Sequence, residues 1–249
     1  MTATRHFTFD LTGALAQQLE TALPGLTQAP LALDALEGVD TAPGIYQLYL
    51  RAELIYIGKA DKNLRGRLTE HHKKISGRLN ISVNDMSFTG LYLEGTWIPV
   101  GPEQMLINAR KRMTGAEPLW NTNGFGMNDP GKERDTTNFK SDHFDVMYPA
   151  DLGYAIESFE PGVYPIGGLL PVLKQTLPYV FRYENQWAKH PDYLASRMTI
   201  TQSPLTAGQV FDALVKALPT GWQITALPGY VIMYKSIRSY PSAQMIFKR

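Results

Sequence analysis

Two short runs, Gly44-Ile45-Tyr46-Gln47-Leu48-Tyr49-Leu50 and Leu54-Ile55-Tyr56-Ile57-Gly58, are apolar and rich in β-branched and aromatic residues, which reads as a pair of strands. Arg51, Ala52 and Glu53 stand between them and predict a hairpin with a three-residue connection. Period-two alternation puts Ile45, Gln47 and Tyr49 on one face and Tyr46, Leu48 and Leu50 on the other, so Tyr46 need not be buried with its neighbours. From Asn63 the spacing turns helical. Leu64, Leu68 and Ile75 form the apolar face, with Arg65, Arg67, His71, His72, Lys73 and Lys74 on the remaining surface and Asn63 as N-cap. Met86 to Leu93 alternates again and predicts a third strand of the same sheet. Trp97 to Gly101 turns the chain into a helix that Pro102 opens and that runs to about Met113. Trp120 to Arg134 reads as a long irregular loop.

On either side the pattern is looser. Residues 5 to 10 alternate as a short strand, and Leu11 to Leu23 reads as a helix with Leu11, Leu15, Leu19 and Leu23 on one face, ended by Pro24-Gly25. Beyond Pro149 comes a Pro/Gly-rich entry, then a mixed apolar stretch from Leu169 to Tyr183. A helix follows from Thr206 to Leu218, and three strand-like runs close the chain: Gln223 to Leu227, Val231 to Lys235 and Ala243 to Phe247. The expected fold class is α+β: a small antiparallel-rich sheet flanked by helices, with an additional C-terminal α+β unit. The expected division is an N-terminal helical extension over residues 1–42, a central domain over 43–150 and the C-terminal unit over 151–249.

A chain of 249 residues with 44% hydrophobic content has room for a full core and two domains. It holds no cysteine, which excludes disulfides, thiolate metal sites and cysteine nucleophiles. With no long apolar run after a basic start, neither a signal peptide nor a membrane span is expected, and the expected location is the cytoplasm. Net charge is only +1, yet the distribution is uneven. Lys59 to Arg78 carries seven bases against two acids, a local basic face suited to a polyanion. Residues 151–249 carry nine bases and six acids.

Arg67 and His71 are four apart and share a helix face. Together with tyrosines on the adjoining strands they are the groups that phosphodiester hydrolysis uses: a hydroxyl or imidazole to take the proton from water, and a guanidinium to hold charge on phosphate. At these residues the chain resembles the GIY-YIG nuclease superfamily. Its two name motifs appear as Gly44-Ile45-Tyr46 and Tyr56-Ile57-Gly58, nine residues separating Tyr46 from Tyr56. Arg67 fits the family's helix arginine, Glu103 in Pro102-Glu103-Gln104-Met105-Leu106-Ile107 its metal-binding glutamate, and Asn121 in Pro118-Leu119-Trp120-Asn121 its asparagine. His71, with the Pro-Leu-Trp-Asn and Gly124-Phe125-Gly126 runs, is most similar to GIY-YIG type II restriction endonucleases that cut G/C-rich palindromes.

The resemblance, over roughly residues 40 to 148, implies the following site. Tyr46, helped by His71, is the general base or orients the water; which of the two takes the proton stays open. A phenol is a poor base near neutral pH, so a hydrogen-bond partner or nearby cations must favour its ionised form. Lys59 and Arg67 supply positive field, Tyr56 supports phosphate or water, and Glu103 holds Mg²⁺, with Mn²⁺ as a substitute. Asn121 fixes a phosphate or the glutamate. Arg65, Lys73, Lys74, Arg78, Lys132 and Arg134 are candidates for DNA contact. Each residue also has a plainer reading: a glutamate at a helix start stabilises the helix dipole, and a hairpin tyrosine is ordinarily a packing residue. The implied partners are double-stranded DNA, a second copy of the chain and a DNA methyltransferase acting on the same site. A repair, recombination or mobile-element nuclease, or a binding module without cleavage, are the alternatives.

Overall fold

The computed structural model describes His6 and residues 11–93, 101–125, 129–184 and 189–249. The strand expected at residues 5–10 and most of the turn expected from Trp97 lie outside the described residues. Contacts divide the chain into two units, Met1–His72 with Val83–Thr122, and Lys73–Ser82 with Asn123–Arg249. This differs from the expected boundaries after residues 42 and 150. Residues 123–150 join the later unit because their partners are there: Ala150 N donates to Pro228 O at 2.7 Å and Phe139 packs with Tyr230 and Tyr234. Among the described residues, no helix is long and apolar enough to cross a membrane.

The first unit runs α1 (Leu11–Ala22), β1 (Ala29–Pro30), α2 (Leu33–Glu37), β2 (Gly44–Leu50), β3 (Glu53–Ala60), α3 (Leu64–Ser76, whose last residues belong to the second unit), β4 (Met86–Tyr92), α4 (Pro102–Thr114) and α5 (Leu119–Thr122). Its antiparallel sheet has the order β1-β4-β2-β3. The expected third strand is therefore β4, paired along the whole of β2.

The hairpin connection is shorter than expected. Leu50 pairs with Glu53, leaving only Arg51 and Ala52 in the turn, both at positive φ (49° and 67°), as a two-residue turn that follows the strand twist requires. The third residue is absorbed in the ladder, where Leu48 faces Tyr56 but Tyr49 faces Leu54, so Ile55 is a bulge. The bulge lets Leu54 and Ile57, three apart, share one face with Ile45 in the core formed with Leu19, Leu23, Leu106 and Ile107.

On α3, Asn63 caps the start, its side chain accepting from Gly66 N at 2.8 Å. Leu64, Leu68, His71 and Ile75 are all buried, an i, i+4, i+7, i+11 stripe. The expectation that His71 lies on the polar surface is thus corrected: it occupies a core position of the helix.

The second unit contains α6 (Phe144–Met147), β5 (Ala155–Ile156), β6 (Gly162–Pro165), α7 (Ile166–Thr176), β7 (Val180–Tyr183), α8 (Pro191–Ala195), β8 (Arg197–Ile200), β9 (Leu205–Thr206), α9 (Ala207–Ala217), β10 (Trp222–Ala226), β11 (Tyr230–Lys235) and β12 (Met245–Lys248). Its main sheet has the order β12-β10-β11-β7, with β7 parallel to β11 and the other pairs antiparallel. Thr206 and Gln209 form a capping box on α9, worth about 1 kcal/mol. The buried side of α9, with Val210, Phe211 and Leu214, joins Leu169, Leu170 and Leu173 of α7 in one core with Ile224, Val231 and Met233 of the sheet. Mixed helices and largely antiparallel sheets make this an α+β protein.

Candidate active site

Tyr46 on β2, Tyr56 on β3 and His71 on α3 meet as three rings. Their centroids are 6.1 Å (Tyr46–Tyr56), 5.4 Å (Tyr46–His71) and 5.7 Å (Tyr56–His71) apart. Gly58 lies opposite Tyr46 in the ladder, and the Tyr46 ring rests directly on it. A methyl there would overlap Tyr46 Cζ and Oη and stand 2.7 Å from Tyr56 Cε1. Gly44 serves a similar purpose at the start of β2, where a methyl would stand 2.8 Å from Leu91 O and 3.3 Å from Leu64 Cδ2. The glycines of both tripeptides thus admit close approach: one of ring to strand, the other of strand and helix.

Alternation did not require Tyr46 to be buried with its neighbours, yet it is fully buried. Its hydroxyl is 2.7 Å from His71 Nε2 and accepts a hydrogen bond from Arg67 Nε at 3.3 Å. Burial, and next the neighbouring Tyr56, push the phenol pKa well above its ordinary value, outweighing the pull of Arg67. The expectation that nearby cations favour the ionised form is therefore corrected: burial outweighs them and favours the neutral phenol. Tyr56 is likewise raised, first by burial and then by Glu103.

Arg67 also donates from Nη1 to Glu70 at 2.9 Å, an i, i+3 pair whose acid is 69% exposed. Lys59 pairs with the exposed Asp61 at 2.8 Å, a contact of little net strength in water. Glu103 sits in the first turn of α4, half-buried. Its pKa is raised, chiefly by burial, with Lys59 and Arg67 pulling it down and Asp61 pushing it up. These couplings place Glu103 in the same neighbourhood. Among the described residues, its carboxylate has no hydrogen-bond or ion-pair partner. A half-buried carboxylate fits a hydrated divalent cation, which takes few protein oxygens.

Asn121 has a different task from the one expected. Its Oδ1 accepts from Ile57 N at 2.9 Å and its Nδ2 donates to Ile57 O at 2.8 Å. Both amide ends thus hold the β3 backbone between Tyr56 and Gly58, each through one of its two hydrogen-bonding positions.

The six bases expected on DNA separate into groups. Arg78 is withdrawn from solvent: its guanidinium pairs with Asp145 at 3.0 Å and donates to the carbonyls of Tyr148, Pro228 and Gly229 at 3.2–3.3 Å. It is a packing residue of the second unit, so its expected DNA contact is corrected. Lys74 is half-buried, bonded to Phe125 O and placed over the Phe125 and Phe144 rings. Arg65 donates to Val39 O and Lys73 to Gln175 O, while Lys132 and Arg134 are exposed. Sequence reading missed Asp61 and Glu70 as partners of the site cations. The i, i+3 spacing of Glu70 was available as a signal.

A hairpin packed on a helix that supplies Arg and His, with a half-buried carboxylate on a second helix, brings together groups suited to phosphodiester hydrolysis. Residues 55–152 match the family model described as the Eco29kI GIY-YIG domain, and this part of the chain is a GIY-YIG domain of the restriction-endonuclease kind. The match spans Tyr56, Lys59, Arg67, His71, Glu103 and Asn121; Gly44–Tyr46 precede it and join through the β2–β3 ladder. No curated protein matches the chain.

Proposed function

We propose that this GIY-YIG restriction-type nuclease is a type II enzyme that hydrolyses both strands of double-stranded DNA at a short, palindromic, G/C-rich site. The observation that carries the catalytic reading is the Tyr46 hydroxyl held between His71 Nε2 and Arg67 Nε. An attacking water gives its proton to Tyr46 as Tyr46 gives its own to His71, so no buried phenolate persists. The new bond joins water oxygen to phosphorus, the bond to the 3′ oxygen breaks, and the departing oxygen takes a proton from solvent. Arg67 and Lys59 hold the charge that grows on the phosphate oxygens. Glu103 would hold Mg²⁺, or Mn²⁺ in its place, whose chemistry is to neutralise the leaving oxygen. Asn121 keeps β3, and with it Tyr56, in register.

One such site cuts one strand, so a palindrome calls for a two-fold homodimer on DNA. A methyltransferase acting on the same site protects the host's own DNA, and both proteins work in the cytoplasm. The test is digestion of unmethylated plasmid and phage DNA with Mg²⁺, followed by sequencing of fragment ends. Discrete fragments sharing one palindrome are expected. Smears, or cutting confined to branched DNA, would overturn the restriction reading. Glu103→Ala is expected to bind DNA but to cut at least ~10³-fold more slowly; cutting at the parent rate would overturn the metal assignment.

A further inference from the structure

The main sheet of the second unit has two unlike faces. Helices α7 and α9 cover one through Leu170, Val210 and Phe211. The other carries Tyr230, Ile232 and Tyr234 and is covered by irregular chain, through Phe139 on one side and Tyr240 and Ala243 on the other. That covering chain is fixed in place. Arg182 of β7 grips Asp135 through Nη1 at 2.9 Å and Nη2 at 3.0 Å, and Asp129 through Nε and Nη2 at 2.8–3.1 Å. Ser242 Oγ donates to Thr137 O at 2.8 Å, and Gln223 Nε2 to Arg238 O at 2.7 Å.

This chain and the edge strand β12 carry several exposed bases. Lys132, Arg134, Lys140, Arg238 and Lys248 are all exposed. Three are tied to one another by geometry. Lys132 Nζ is 4.8 Å from the centre of the Tyr234 ring and Arg238 Cζ 5.9 Å from that of Tyr240, two rings of one cluster. Lys248 faces Gln223 across the ladder, and the Gln223 side chain reaches the Arg238 carbonyl. The acids in the same segments offset them only in part. Asp129 and Asp135 share the single charge of Arg182, and Glu133 and Asp142 are the other acids there. From Lys235 to Arg249 there are four bases and no acid.

We infer that this face of the C-terminal sheet, through Lys132, Arg238 and Lys248, is a second DNA-contacting surface that binds the phosphate backbone of the duplex. The inference rests on the nuclease reading, which supplies the polyanion. Exposed cations gathered on one face are the electrostatic footprint of phosphate-backbone binding. Backbone contacts position a protein on the duplex without reading bases, so this surface adds affinity rather than sequence choice.

The test uses the full chain carrying Glu103→Gln, which removes cutting, and measures binding to a short duplex over a KCl series. Adding Lys132→Gln, Arg238→Gln and Lys248→Gln is expected to weaken binding at least tenfold. It should also lower the slope of log K against log salt by about 2–3, near 0.9 per lost phosphate contact. Lys174→Gln, Arg197→Gln and Lys216→Gln remove equal charge from exposed positions elsewhere in the unit and should leave both quantities unchanged. If the triple variant does not fold, Lys248→Gln alone should lower the slope by about 1. Unchanged affinity and slope, or an equal loss in the second triple variant, would overturn the inference. A Glu103→Gln parent that binds no duplex would instead overturn the nuclease reading, and this inference with it.

Discussion

The two units each contain an arginine among tyrosines and acids, yet the two clusters are built for different ends. Arg182 directs all three nitrogens at two carboxylates and Tyr234, and is 8% exposed. Arg67 has a neutral phenol on one side and a solvent-washed glutamate on the other, and is itself 32% exposed. A guanidinium balanced by two acids is closed, and its charge is consumed in holding the fold. One paired with a phenol and an acid weakened by water keeps charge open to an anion. Balance of partners, more than residue type, separates a closed brace from an open cation.

The largest effects break this comparison at its two arginines. Arg67→Ala should lower kcat by about 10³–10⁵-fold while changing stability by under about 1 kcal/mol, read by cleavage rates beside denaturant melts. Arg182→Leu should do the reverse. It strands the buried Asp135 and should cost about 3–5 kcal/mol of stability; a melt unchanged by Arg182→Leu would erase the distinction. Next comes Gly58→Ala, expected to cost about 1–3 kcal/mol by overpacking and to reduce cleavage as well, because the displaced atoms are the Tyr46 hydroxyl and its ring.

The smallest effect sharpens the reading of Glu103. Its pKa is raised in the fold, so the carboxyl adds stability below its unfolded-state pKa and loses that contribution as pH rises through the folded value. With chelator present, Glu103→Gln should therefore melt slightly above the parent at neutral pH. The gap should close as pH falls below about 4, where both chains carry a neutral side chain. A gap that widens in acid would contradict the burial of this carboxyl.

Much of the candidate site was legible because its signals are local. Two strand tripeptides, an Arg and a His four apart, and an acid opening a helix lie within short windows. The burial of His71 was legible too, since it falls on the Leu64, Leu68, Ile75 stripe, but its polarity argued for the surface and the pattern of period won. What stayed hidden depends on partners far along the chain. Asn121 meets Ile57 across 64 residues, and nothing near Asn121 names a backbone as its target. Arg78 looked like one more cation of a basic helix until Asp145 and the carbonyls at 228 and 229 enclosed it. The shortened hairpin turn depended on a bulge, which alternation alone cannot place.

The enclosure of Arg78 also sets a timetable for the newborn chain. Its acceptors at Pro228 and Gly229 follow it by 150 and 151 residues. At a synthesis rate of about 5–20 residues per second, the arginine waits about 8–30 s for them to be made. The segment immediately after α3, the helix that bears Arg67 and His71, is thus held first through Asp145 and Tyr148 and gains its last bonds only when residues 228 and 229 have been made. A ribosome that stalls before residue 228 leaves those bonds unmade, so products truncated there should be more conspicuous to cellular proteases than chains that carry both residues.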